Sequence, residues 1–256
     1  MPDRPEWGVL QSAHPHYMEL LAYAGGAFHP EWLTTQLSAL VEEGRKYESA
    51  QTFYAQAQIV AYHLIGAALE GWKRCLHAQL YMRTHGMGPV TILDYGCGIG
   101  GDGLAFLDAG YRVSFADISG HLLDFLRWRL WWRRYTAPVY EIDPLRYDEK
   151  TLRCPRVTIV WCMDVLEHFV PEMQKWLLCE QLPRFGDIVF VNLLSTHTPD
   201  ELVHQAVDIE ELTAQVQAYA KGQCQYYDYN VLATGEKTRL LIYQAMPACK
   251  KEKHRP

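Results

Sequence analysis

Apolar positions in the first 88 residues recur at helical spacing. Leu33, Leu37, Leu40 and Val41 form one stripe, with Pro30 suited to open the helix and Gly44 to close it. Phe53, Ala57, Val60, Leu64, Ala68, Trp72, Cys75, Leu76 and Leu80 form a second stripe. That stripe predicts one long amphipathic helix, bent near Gly66 or Gly71 and ended by His85-Gly86-Met87-Gly88-Pro89. From Val90 the pattern changes to short apolar runs alternating with helical stretches. Strands are predicted over 90–95, 111–116, 139–142, 157–162 and 187–193. Helices are predicted over 103–109, from Ser119 as cap to about Arg134, over 171–179 and over 208–219. Two last runs, 223–232 and 238–243, flank Ala233-Thr234-Gly235-Glu236 and read as a hairpin. Strand–helix alternation predicts an α/β protein with a mainly parallel sheet, helices on both faces and an antiparallel terminal hairpin. The expected division is a helical cap or substrate lid over residues 1–88 and a core over 89–256.

Composition narrows the function. The chain has 256 residues, 49% hydrophobic and 21% charged, with a formal charge of −6. That is enough apolar surface for a packed core and gives no general attraction to nucleic acid or anionic lipid. No apolar run approaches the length of a membrane span, and Ile59 to Leu69 is interrupted by His63 and Gly66. The first residues lack a signal-peptide pattern. Seven cysteines, widely spaced and without C-x-x-C, read as reduced thiols in a cytoplasmic protein. The 16 Tyr, 8 Trp and 11 His suggest an aromatic-lined pocket.

The chemistry concentrates at Asp94-Tyr95-Gly96-Cys97-Gly98-Ile99-Gly100-Gly101, where the first strand turns into a helix. Glycines there permit positive φ and close approach of a ligand, at the place where doubly wound sheets bind cofactors. Gly98-x-Gly100-x-x-Gly103 formally matches a dinucleotide fingerprint, but the next strand-end acid, Asp117, follows only 14 residues after Gly103. With Asp94 included the motif is D-x-G-x-G-x-G, and the segment from about 90 to 245 resembles the class I S-adenosylmethionine (SAM)-dependent methyltransferases. Asp117, Asp143 and Cys162-Met163-Asp164-Val165-Leu166-Glu167-His168 fall at the ends of the second, third and fourth strands, in register with that family.

The resemblance implies a Rossmann-like seven-stranded sheet and SAM as cofactor, with S-adenosylhomocysteine (SAH) as product. It implies cofactor contacts from Asp94, Gly96, Cys97, Gly98, Gly100, Asp117, Ile118, Asp143, Pro144, Cys162 and Met163. Asp117 would accept from both ribose hydroxyls, as an acceptor-only carboxylate suits a vicinal diol. Methyl transfer to an oxygen or nitrogen (or carbon) of a small molecule is expected, with His168 as base, Glu167 beside it, and Tyr47, Tyr54 and His197 in the substrate pocket. A metal is not favoured. If one binds, Asp164, Glu167, His168 and His197 or His204 are its ligands, as in the small-RNA 2′-O-methyltransferases that this segment also resembles. A nicotinamide-dependent oxidoreductase and a non-catalytic SAM-binding protein are compatible with the same glycine loop. Membrane and nucleic acid are not expected partners, and a homodimer is compatible with the chain. Arg127, Arg129, Arg133 and Arg134 among Trp128, Trp131 and Trp132 read as an outer helix, with Leu122, Leu126 and Leu130 inward and the arginines in water.

Overall fold

A computed structural model describes residues 14–29, 32, 37–68, 71–143, 152–194, 205–230 and 237–246. Seven strands form one sheet in the order β3-β2-β1-β4-β5-β7-β6. They are β1 (Thr91–Tyr95), β2 (Arg112–Ile118), β3 (Val139–Ile142), β4 (Val157–Cys162), β5 (Gly186–Leu194), β6 (Cys224–Asn230) and β7 (Lys237–Gln244). The pairs β2–β3, β1–β4 and β4–β5 are parallel, whereas β7 is antiparallel to β5 and to β6. This is the expected Rossmann-like sheet with its antiparallel terminal hairpin. The buried runs of β4 and β5 read as continuous apolar sequence because both faces are covered.

Two compact units can be distinguished: residues 1–89 with 96–152, and residues 90–95 with 153–256. The first carries α1 (Pro15–Ala24), α2 (Leu37–Gly44), α3 (Ala50–Gln56), α4 (Ile59–Ala68), α5 (Gly71–Thr84), α6 (Gly101–Asp108) and α7 (His121–Trp132). The long helix expected from the 53–80 stripe is three helices. The first break falls at Ala57, which is extended at φ −78°, ψ 107°, without a proline or glycine to announce it. Ser49 caps α3 by accepting the Thr52 N–H at 3.1 Å. Gly66 lies inside α4. Pro30 lies outside the described residues.

Helix α7 also departs from its expected start. Its N-cap is Gly120, not Ser119, and Gly120 (φ +153°) makes no side-chain cap. A Cβ there would collide with the backbone of Ala55, so glycine lets α3 approach. Leu122, Leu126 and Leu130 are buried as expected, but the arginines are not all in water. Arg129 is 0% exposed, with Nε donating to Glu19 Oε2 of α1 at 2.8 Å. Arg133 also donates to Glu19, from Nη2 at 3.2 Å. The partner lies 110 residues away in sequence, out of reach of a local amphipathic reading.

The second unit packs α8 and α9 against its strands. Helix α8 (Pro171–Trp176) continues through a π turn at Leu177–Gln181 to Phe185, beyond the expected end at Cys179. Tyr243 of β7 donates its hydroxyl to the Leu178 carbonyl at 2.5 Å. Helix α9 (Ile209–Tyr219) begins at an Asp208 cap. The hairpin residues Ala233-Thr234-Gly235-Glu236 fall outside the described residues.

Candidate functional site

In the first unit the glycine loop and the end of β2 form one hydrogen-bonded piece. Gly96, Gly98 and Gly100 have φ of +71°, +51° and +77°, so every second residue occupies a conformation that L side chains resist. The Gly96 N–H donates to the Ala116 carbonyl at 2.8 Å, and the Gly100 N–H to the Cys97 carbonyl at 2.7 Å. Gly98 N–H donates to Asp117 Oδ2, and Ile118 N–H donates to Oδ1 at 2.7 Å. The loop then enters α6 with Gly100 as its left-handed N-cap.

Asp117 therefore faces two backbone donors, which favour its charge, against burial, which opposes it more strongly. The balance pushes its carboxyl up to about 6. Each carboxylate oxygen accepts one of these bonds and retains capacity for another. Asp143 follows β3. Since Ile118 pairs with Ile142, Asp143 lies one residue beyond the partner of Ile118, and it is exposed. Pro144 lies outside the described residues.

Helix α4 stands over this loop. A Cβ on Gly98 would come within 3.0 Å of Leu64 Cδ1. Nearby in sequence, Tyr47 and Tyr54 are half-buried and edge-on to Phe53, with ring centroids 5.5 and 5.1 Å away. Carbonyl Ala55 O of α3 lies 2.9 Å from His121 Nδ1, three residues after Ile118. Thus the chain brings α3 and α4 to the glycine loop and the β2–α7 turn. Sequence patterning carries no signal for these contacts.

In the second unit, Asp94 is buried on β1 opposite Trp161 of β4. Cys162, also buried, ends β4, and Met163 is half-buried after it. Asp164 adopts φ +54°, rare for a residue with a Cβ. Asn192 of β5 holds it twice: the Asp164 N–H donates to Asn192 Oδ1 at 2.7 Å, and Asn192 Nδ2 donates to Asp164 Oδ1 at 2.5 Å. The bend leads into a 3₁₀ turn at Leu166–His168, where Glu167 is buried and His168 half-buried. The Glu167 carbonyl accepts the Gln205 N–H at 2.6 Å. Asn192 has no signature in the sequence, because its role depends on a neighbouring strand. His197 and His204 lie outside the described residues. Among the described residues, no group of three His, Cys, Asp or Glu side chains is placed to hold a metal ion.

No family model and no curated protein sequence matches this chain. Solved structures do. The N-terminal domain of EvdMO1 with SAH bound superposes at a TM-score of 0.54 and 14% identity, covering 69% of this chain and 81% of that one. Magnesium protoporphyrin IX methyltransferase from Synechocystis PCC 6803 with bound SAM aligns at 0.50 and 12% identity, covering 74% and 86%. The N-methyltransferase NodS from Bradyrhizobium japonicum WM9 in complex with SAH aligns at 0.51 and 14%, covering 69% and 88%. The fold is that of the class I SAM-dependent methyltransferases.

Proposed function

We propose that the protein is a SAM-dependent methyltransferase that methylates an oxygen or nitrogen, or a carbon, of a small molecule. The observation that carries this reading is the joining of the glycine loop to Asp117 through the Gly98 N–H. The donor and acceptor set fits the cofactor. Backbone without side chains permits close approach at Gly96, Gly98 and Gly100, and Asp117 has acceptor capacity for a vicinal diol. Ile118 would lie against an adenine, with Asp143 and Pro144 beyond it. Asp94, Cys97, Cys162 and Met163 would contact the rest of the cofactor. When bound, SAM supplies an activated methyl group on a sulfonium.

The chain's own residues then align and deprotonate. His168 is the proposed base, since an imidazole titrates near neutral pH, and it takes the proton of a hydroxyl or ammonium acceptor. Buried Glu167 and the Asn192-held bend at Asp164 set where His168 stands. Residues 1–88 act as the substrate-side cap, with Tyr47, Tyr54 and His197 as pocket walls, and 89–256 as the core. The contacts of α3 and α4 at Gly120 and Gly98 support this role for the cap. Metal ligation is not part of the proposal. The solved structures similar to this chain include methyltransferases named for a porphyrin and for N-methylation, which supports a small-molecule acceptor and leaves its atom to experiment. A cytoplasmic location is part of the proposal, carried by seven widely spaced cysteines without C-x-x-C. No described helix is long and apolar enough to cross a membrane.

The test is transfer of isotope-labelled methyl from SAM to the small-molecule fraction of cell extracts. A labelled product is expected, and His168→Ala should lower turnover while SAH affinity stays within about twofold of wild type. Equal losses of turnover and affinity would assign His168 a structural role. No labelled product and no SAH release above the protein-free blank would refute catalysis.

A further inference from the structure

The geometry points to Arg129, fixed by Glu19 of α1, as a positioning residue that sets the glycine loop for the cofactor. This rests on the SAM reading of that loop. Arg129 Nη1 donates to the carbonyl of Ile99, which lies between Gly98 and Gly100. Its Nε donates to Glu19 Oε2 at 2.8 Å, and its Nη2 meets His16 Nδ1. Both Arg129 and Glu19 are almost wholly buried, at 0% and 4% exposure.

A peptide plane links this contact to the loop's amides. The Ile99 carbonyl and the Gly100 N–H belong to one planar unit, so a donor that fixes the first orients the second. That N–H bonds the Cys97 carbonyl, whose own peptide unit ends in the Gly98 N–H, which bonds Asp117. A continuous chain therefore runs from Glu19 through Arg129, Ile99, Gly100, Cys97 and Gly98 to Asp117. Three glycines in left-handed conformations have little local preference for this arrangement. The buried guanidinium supplies one from outside the loop, and its planar fork reaches Glu19 and Ile99 together.

A buried ion pair is a poor device for stability alone, because apolar residues of similar size often do as well. Here its placement accounts for it. One consequence is that α1, at the start of the cap region, contributes to the cofactor site through Arg129 without needing to touch the cofactor.

Arg129→Met and Glu19→Gln, in the full chain, test this against Arg239→Met. Arg239 is likewise buried and forks to Asp228 and Glu210 at 2.5–3.1 Å, but in the second unit. Two readouts are taken: SAH affinity by calorimetry, and amide hydrogen exchange of the 96–104 segment. Arg129→Met should weaken SAH about tenfold or more and raise exchange at 96–104 by a similar factor. Glu19→Gln should act in the same direction but less, and Arg239→Met should lower Tm without moving either readout. The inference is overturned if the Arg129 and Glu19 variants keep wild-type exchange at 96–104, or if Arg239→Met matches them. Exchange is read without ligand, so faster loop exchange in a protein that never binds SAH would uphold the positioning role and refute the cofactor reading instead. If Arg129→Met does not fold, Glu19→Gln alone decides.

Discussion

Asp117 shows how one side chain links fold and function. Its carboxyl is raised to about 6 by burial, against an ordinary value of 3.8. The folded state therefore holds its proton more tightly than the unfolded chain does between these values. Its contribution to stability falls as pH rises from about 4 to 6 and is constant above that. The cost of ionisation is at most about 3 kcal/mol, and less where solvent reaches the group. Asp117→Asn should remove this component, so urea unfolding of wild type and variant should converge in stability below pH 4 relative to their difference at pH 7. Under the proposed function, cofactor binding should have the opposite dependence, because the ionised carboxylate is the stronger acceptor for a diol. Wild-type affinity for SAH should fall about tenfold per pH unit below pH 6, while the weaker binding of Asp117→Asn should be flat there. Gly98→Val combines a left-handed backbone with a tight contact, its Cβ 3.0 Å from Leu64 Cδ1. Strain of about 1–2 kcal/mol from the backbone alone, plus the lost space, should abolish measurable SAH binding in calorimetry.

At the scale of elements, the strands and some helix starts were readable, and other helix boundaries were not. Buried parallel strands such as Val157–Cys162 leave a continuous apolar run in the sequence, and Asp208 announces α9 by its cap. The break between α3 and α4 left no such trace: its apolar stripe keeps helical spacing through Ala57, and no glycine or proline stands there. Beside the break, Ala55 docks against Gly120 and His121, a contact that no local pattern announces. Ser49→Ala should cost about 1 kcal/mol in urea unfolding by removing the α3 cap. The π turn in α8 is similarly held from another element. Tyr243→Phe deletes the donor to the Leu178 carbonyl and should destabilise by about 1–2 kcal/mol, with SAH affinity unchanged.

For the whole molecule, the sequence made the strand alternation, the terminal hairpin and the glycine-loop acids legible because each is a local pattern. It hid the partnerships that depend on distant residues: Glu19 with Arg129, Asn192 with Asp164, and Leu64 with Gly98. Local patterns place the glycine loop, and non-local contacts bring Leu64 and Ala55 to it and to the β2–α7 turn. The central claim is that this loop binds SAM. Calorimetric titration of the purified chain with SAH and, separately, with NADH tests it most directly. The account predicts one SAH per chain and no heat of binding from NADH. Binding of NADH with no binding of SAH would contradict it.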